Sequence, residues 1–152
     1  RNTDAHRSLV ALGKHPACSR FLATSAVTGR SRVRFASALS ALLHWAAPLS
    51  TLGDLPRLVL AITDVFGAEQ VSSFEFLAAL SLNWGSLWFP GGRASAWALL
   101  KASDLELATH LEAFAGGASD HPEHDCLGQL LETMLCEALP REEWLALLDS
   151  LV

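Results

Sequence analysis

Hydrophobic residues along the chain recur at the three- and four-residue spacing of amphipathic helices, and no stretch alternates as a half-buried strand does. The densest stretch is residues 72–89, SSFEFLAALSLNWGSLWF, whose apolar side chains go nearly all the way round a helical wheel. Such a helix is either a membrane span or the centre of an all-helical domain. Ser72 and Glu75 form a capping box, and no unbroken apolar run of about 18 residues occurs. We therefore predict the buried central helix of a soluble bundle.

Helix start and stop signals divide the rest of the chain into short segments. Ser103 and Glu106 form a second capping box, residues 90–92 (Pro-Gly-Gly) separate two helices, and the polar residues 25–32 form a loop. The predicted fold class is all-α, a single bundle of about nine helices over residues 1–152. Besides the central helix, we expect helices at residues 3–12, 16–24, 33–46, 54–66, 94–102, 103–114, 126–139 and 140–152.

The composition favours a packed domain with an uneven charge distribution. Hydrophobic residues make up 51% of the chain and charged residues 18%, which is too apolar for a disordered segment. The net charge is −5, yet seven of the eleven basic residues fall in the first 34 positions, and Arg141 is the only base after residue 103. Such an asymmetry orients a charged partner, or it reflects uneven solvation of exposed faces. The acidic balance, with no aromatic residues among the arginines, argues against nucleic-acid binding.

The cysteines and the terminus bear on location. Cys18, Cys126 and Cys136 show no CxxC spacing, so we expect free thiols in a reducing compartment. No signal peptide or transmembrane segment is visible. The chain begins at Arg1 without a methionine, and we expect a domain cut from a longer cytoplasmic protein.

Few residues suggest chemistry of their own. Residues 121–126, HPEHDC, contain ligand types that zinc prefers, but Pro122 interrupts them and no second ligand pair is near, so no metal site is predicted. The chain has no GxSxG, GxxxxGK or GxGxxG motif, so we predict no serine nucleophile and no nucleotide or other cofactor. Residues 83–86, NWGS, leave one alternative, because they resemble the NWGR box of the helical apoptosis regulators.

Several segments carry a family resemblance. Residues 104–111, DLELATHL, resemble the D-x-E-L-x-x-H-L helix of the TBC domain, the fold of Rab GTPase-activating proteins. Residues 127–152 resemble its closing helices, with LP…W…LLD, and residues 38–66 are similar to the stretch that leads through NP-x-x-GY-x-QG. The strings LSALLHW and LPREEWLALLD look closest to a divergent branch that carries WD-repeats and is associated with centrosomes and cilia. The resemblance implies a TBC fold and, as partners, a small GTPase of the Rab class or ciliary and centrosomal proteins.

The departures from that family concern its catalytic groups. Active members supply an arginine from I-x-x-D-x-x-R and a glutamine from Y-x-Q. This chain contains neither motif and no tyrosine at all. When Pro48 is placed on the family proline, Leu52 takes the tyrosine position and Asp54 the glutamine position. The resemblance therefore implies no catalytic residue and no GTPase-activating activity. The predicted partner-binding residues are Arg30, Arg32, Arg34, Leu52, Gly53 and Asp54.

Two other functions remain open at the level of sequence. The first is an active GTPase activator in which one of the N-terminal arginines replaces the family's catalytic arginine, the arginine finger. Loss of that arginine otherwise lowers the rate of GTP hydrolysis by about 10³–10⁵. The second is a scaffold whose GTPase surface is vestigial. The candidates for a substitute finger are Arg20, Arg30, Arg32 and Arg34.

Overall fold

The computed structural model describes residues 3–24, 27–114 and 126–151, and within these ranges the protein is all-α. This confirms the predicted fold class. Two short 3-10 helices, η1 (Ala47–Thr51) and η2 (Gly85–Trp88), accompany the α-helices. In chain order the α-helices are α1 (Thr3–Ala11), α2 (Pro16–Thr24), α3 (Gly29–Trp45), α4 (Leu55–Phe66), α5 (Gln70–Trp84), α6 (Pro90–Ser103), α7 (Leu105–Phe114), α8 (Cys126–Glu132) and α9 (Arg141–Leu151).

Contacts between residues divide the chain into two compact units. The first unit ends at Ser81 and the second unit begins at Leu82. Helix α5 runs across this boundary, because it extends to Trp84. The assignment of residues 1–152 to one domain stays a prediction.

Helices α3 and α4 form the centre of the first unit. The buried positions of α4 recur at i, i+3, i+4 and i+7, the spacing of a helix that turns one face to a core. Helix α3 buries a nearly continuous segment in its second half, with Leu39, Leu42 and Leu43 fully inaccessible. Burying each such side chain contributes about 1.5–3 kcal/mol. The buried apolar side chains of α4 are Leu55, Leu58, Val59 and Ile62.

The structure confirms a helix in the segment predicted as the central helix, but the predicted bounds, residues 72–89, are wrong. Helix α5 begins at Gln70, two residues before the proposed cap, so Ser72 lies inside the helix and the capping box does not form. The α-helix stops at Trp84 and continues as η2. Its buried residues, Ser73, Phe74, Leu77 and Leu80, form one stripe. Leu82 is 74% exposed, so the prediction of burial on all sides is also wrong.

Two further boundaries differ from the sequence signals. Helix α3 begins at Gly29, so the predicted loop over residues 25–32 is wrong for its last four positions. Helix α6 begins at Pro90, where proline's missing amide is one of the donors that a first turn leaves unpaired anyway. The Pro-Gly-Gly segment therefore opens a helix.

The second predicted capping box is also displaced. The backbone amide of Leu107 donates to Asp104 Oδ1 at 2.9 Å, so Asp104 caps α7. The hydroxyl of Ser103 donates instead to the carbonyl of Leu99, inside α6. The helix dipole favours the carboxylate of Asp104 at the N-terminus of α7.

Two directed polar contacts lie close to the end of α8 in the second unit. Helix α8 ends at Glu132, seven residues before the predicted end, and Met134 and Leu135 follow with positive φ values of 47° and 63°. The carbonyl of Met134 accepts a buried hydrogen bond from Trp144 Nε1 at 2.9 Å. The guanidinium of Arg93 pairs with the buried carboxylate of Glu132. These bonds hold a turn that the helical pattern of the sequence does not reveal.

Among the described residues, no helix has the length and hydropathy needed to cross a bilayer. Residues 121–125, most of the HPEHDC segment, lie outside the described residues. No cluster of three or more metal-ligating side chains occurs within the ranges that are described.

Candidate partner-binding surface

The turn that joins η1 to α4, Leu52 to Asp54, carries the two positions that the sequence aligned with the family's catalytic motif. Leu52 is only 4% exposed, and its amide donates to the carbonyl of Leu49 at 3.2 Å. Its side chain is therefore part of the core of the first unit. Gly53 is exposed, and no atom lies within 4 Å of the position that a Cβ would take there. We call these three residues the η1–α4 turn.

Asp54 occupies the position before the first residue of α4. Its side chain makes no capping bond to the helix. Instead, its Oδ1 lies 3.2 Å from Nε of Arg57, a side chain that is 51% exposed. A carboxylate at the N-terminus of a helix is stabilised by the helix dipole, and the ion pair adds a modest surface contribution. The negatively charged side chain of Asp54 therefore occupies the position that the resemblance aligns with the glutamine that orients water.

Arg20 approaches the same part of the chain from α2. Its Nη2 donates to the carbonyl of Ser50, in η1, at 3.1 Å. Its guanidinium carbon also lies 4.9 Å from the ring centroid of Phe21, within the range of a cation–π contact. These two contacts fix the charge of Arg20 beside η1, two residues before the turn begins.

The three remaining candidate arginines lie on the first turns of α3 and not in a loop. Arg32 donates to the carbonyls of Val27 at 3.2 Å and Leu22 at 3.1 Å, so it joins the start of α3 to the end of α2. Arg34 donates to Ser31 Oγ at 3.1 Å. Arg30 is exposed to solvent. Arg32 and Arg34 thus have structural contacts, which leaves Arg30 as the most accessible of the three.

The structure separates these arginines from the η1–α4 turn. Arg34 lies next to the far end of α4, because its Nη1 is 3.9 Å from the position of a Cβ on Gly67. Asp54 lies at the opposite end of that twelve-residue helix, which is about 18 Å away at 1.5 Å per residue. Of the four arginines proposed as substitute fingers, Arg20 is therefore the one that the structure brings beside the turn.

Sequence reasoning missed a histidine pair at the start of α2. His15 Nδ1 accepts a hydrogen bond from the amide of Ala17 at 3.2 Å, so the imidazole caps this helix. The ring of His44 packs edge-on against it, with the centroids 4.9 Å apart. Burial lowers the pKa of His15 from its ordinary value, and the neighbouring His44 lowers that pKa further. The sequence signal for this cap was the position of His15 immediately before Pro16, the first residue of α2.

Comparison with known proteins identifies relatives along nearly the whole chain. Over 156 residues, the chain is 33% identical to TBC1 domain family member 31 of Mus musculus and 31% identical to the protein of that name from Homo sapiens. Each alignment covers 99% of the chain. The chain is related to the TBC1 domain family. This finding confirms the TBC relationship that residues 104–111 and 127–152 predicted.

The relatives are much longer than this chain, which spans 15% of the mouse TBC1 domain protein and 14% of the human one. The bovine protein of the same name is 32% identical over 98% of the chain. No protein-family model matches the chain, and no solved structure does.

Proposed function

We propose that the chain is a TBC-type module that binds a small GTPase of the Rab class without accelerating GTP hydrolysis. Its relationship to the TBC1 domain family supports the partner class. The position of the Asp54 carboxylate supports the absence of GTPase-activating activity. Its carboxylate is held by Arg57 at the head of α4, and a carboxylate there repels the nucleotide phosphates and does not order the attacking water.

The proposed binding surface is centred on the η1–α4 turn. Gly53 is its accessible point, Arg20 and Arg57 place positive charge on either side of it, and Leu52 supports it from the core. Arg30 lies at the other end of α3 and would make a peripheral contact. Opposite charges arranged in this way mainly increase the rate and the specificity of association.

A second function is favoured by the position of Arg20. In this alternative, Arg20 leaves the carbonyl of Ser50 and acts as the arginine finger of an active GTPase activator. The cost is the loss of a hydrogen bond and of the contact with Phe21. Because Asp54 would still oppose the developing negative charge, we favour the inactive module.

The setting that we propose is cytoplasmic, at the cilium or the centrosome, with other ciliary or centrosomal proteins as further partners. It is supported by the resemblance of the LSALLHW and LPREEWLALLD segments to the centrosomal branch of the family.

The test is a binding assay against a panel of Rab GTPases loaded with GTP or GDP. We expect at least one Rab to bind in a nucleotide-dependent manner, and Gly53→Arg to abolish that binding, because the new side chain enters open space on the surface. Gly91→Arg is the matched control, since Gly91 is an exposed glycine with no atom within 4 Å of its Cβ position. If the Gly53→Arg variant binds as the wild type does, the assignment of the binding surface to the η1–α4 turn is wrong. If no Rab binds, the result favours the alternative of a scaffold whose GTPase surface is vestigial.

A further inference from the structure

A cavity of about 230 Å³ opens between the end of α1 and the middle of α3 in the first unit. It contains neither the residues of the η1–α4 turn nor the arginines at the start of α3. We call it the α1–α3 cavity. Its lining residues are Val10, Gly13, Lys14, Ala36, Ser37 and Ser40.

The polar side chains that line this cavity, Lys14, Ser37 and Ser40, can each donate a hydrogen bond. Lys14 supplies an ammonium group that forms no ion pair within the described residues, and no carboxylate lines the cavity. Ser40 is 5% exposed, and its Oγ accepts the amide of His15 at 3.2 Å. Its own hydroxyl hydrogen has no acceptor in the part of the chain that the structure describes. The Ser37 hydroxyl reaches Gln70 Oε1 only at 3.4 Å, a long bond that a better acceptor would replace.

The size and the walls of the cavity limit its occupant. Cavities that hold drug-sized ligands or cofactors measure about 300–1,000 Å³, so this one suits a single amino-acid side chain. Val10 and Ala36 give it apolar walls that can accept methylene groups. A cation and two hydroxyls then require an anionic group at the end of that side chain.

The position of the cavity distinguishes between a singly and a doubly charged group. Gly13 follows the C-terminal end of α1, where the helix dipole is negative. A phosphate dianion is opposed by that field more strongly than a carboxylate. The first unit as a whole carries eight basic residues against five acidic ones, a net charge of +3, which attracts an acidic segment.

We propose that the α1–α3 cavity receives the side-chain carboxylate of a glutamate or aspartate from an acidic segment of a partner polypeptide. Lys14 pairs with the carboxylate, and the hydroxyls of Ser37 and Ser40 donate to its oxygens. This site is separate from the surface proposed for the GTPase, and neither depends on the other.

The experiment uses N-acetyl-glutamate N-methylamide as the probe and the ¹⁵N-labelled 152-residue chain as the protein. We expect the amide signals of Gly13, Lys14, Ser37 and Ser40 to shift in a saturable manner. The uncharged glutamine compound should leave them unchanged. Because an ion pair of this kind contributes modestly, Lys14→Ala should weaken binding by about twofold to fivefold, and Lys14→Glu should abolish it.

Lys101→Ala is the matched control, because Lys101 lies in the second unit and pairs there with Glu112. It should bind the probe as the wild type does. Ser37→Ala tests the site independently if a Lys14 variant fails to fold, and it should also weaken binding. The proposal is overturned if the glutamate compound does not bind, if the glutamine compound shifts the same amides, or if Lys14→Glu still binds. A phosphoserine compound that binds at least about tenfold more tightly would overturn the carboxylate assignment. No GTPase is present, so the outcome is independent of the Rab assay.

Discussion

The two units of the chain are stabilised in different ways. Of the 22 buried hydrophobic side chains in the described ranges, 17 precede Leu82 and five follow it. Helix α6, in the second unit, buries none of its residues. The second unit also contains directed polar contacts, such as the Arg93–Glu132 pair and the hydrogen bond from Trp144 to Met134. Within the described residues, apolar burial therefore contributes more to the stability of the first unit than to that of the second.

The units also differ in charge. The first carries a net charge of +3, while the second has three basic residues against eleven acidic ones, a net charge of −8. Both surfaces that we propose for partners, the η1–α4 turn and the α1–α3 cavity, lie in the positive unit. A uniformly helical sequence pattern can therefore contain two regions that differ in apolar burial and in net charge.

The largest effect is expected near the end of α5, at Leu80 in the first unit. Leu80 is fully buried, whereas Leu82 on the same helix is 74% exposed. Leu80→Ala should lower the free energy of unfolding by about 2–5 kcal/mol, because it leaves a cavity in the core. Leu82→Ala, the matched control, should change it by no more than about 0.5 kcal/mol. Urea unfolding of both variants measures the difference, and equal losses would refute the assignment of the core.

A smaller loss is expected in the second unit from Gly92→Ala. A Cβ on Gly92 would lie 2.7 Å from the Cα of Leu87 and would also meet the carbonyl oxygen of Ser86. Because those are backbone atoms, the start of α6 has to shift, at a cost of about 1–3 kcal/mol. Gly91→Ala meets no atom within 4 Å, and it should stabilise the helix by up to about 1 kcal/mol. Thermal unfolding that ranks the two variants in the reverse order would contradict the close approach of α6 to η2.

The smallest effect is a pH dependence located in the first unit. The folded protein lowers the pKa of His15, so the unfolded chain takes up the proton first as the pH falls below about 6.5. The stability that the neutral imidazole contributes is present above that pH and is lost as the pH falls through the folded pKa. His6, whose pKa burial also lowers, adds to the loss in the same direction.

The check is His15→Asn, in which the side chain can cap α2 but cannot titrate in this range. Its free energy of unfolding should fall less steeply between pH 7.5 and pH 5 than that of the wild type. His15→Ala separates the two effects, because it loses the cap at every pH. An unchanged slope in His15→Asn would show that His15 does not contribute to the pH dependence.

The sequence predicted helices well where an apolar stripe follows a local start signal. Helices α2, α4 and α9 lie close to their predicted bounds because Pro16, Asp54 and Pro140 mark their beginnings. The end of α8 was missed because Met134 and Leu135 carry no turn chemistry, and their left-handed conformation depends on contacts such as the bond from Trp144. Tertiary contacts of that kind cannot be read from local spacing.

The candidate site was predicted only in part. The resemblance aligned Leu52 and Asp54 with two catalytic positions, and the structure places both residues between η1 and α4. It did not predict that Arg57 would hold Asp54, or that Arg20 and not Arg34 would lie beside the turn. Those outcomes depend on how α2 and α4 pack against α3, which no motif in the chain encodes. The partner-binding roles of all six predicted residues, Arg30, Arg32, Arg34, Leu52, Gly53 and Asp54, stay predictions.

The most direct test of the proposed lack of GTPase-activating activity is single-turnover GTP hydrolysis by a Rab that binds the chain. The rate is measured with and without a saturating amount of the chain. Because Asp54 occupies the position aligned with the glutamine and no family arginine motif is present, we predict a rate within a few-fold of the intrinsic one. A stimulation of about 100-fold or more that Arg20→Ala abolishes would contradict the proposal and establish the chain as an active GTPase activator.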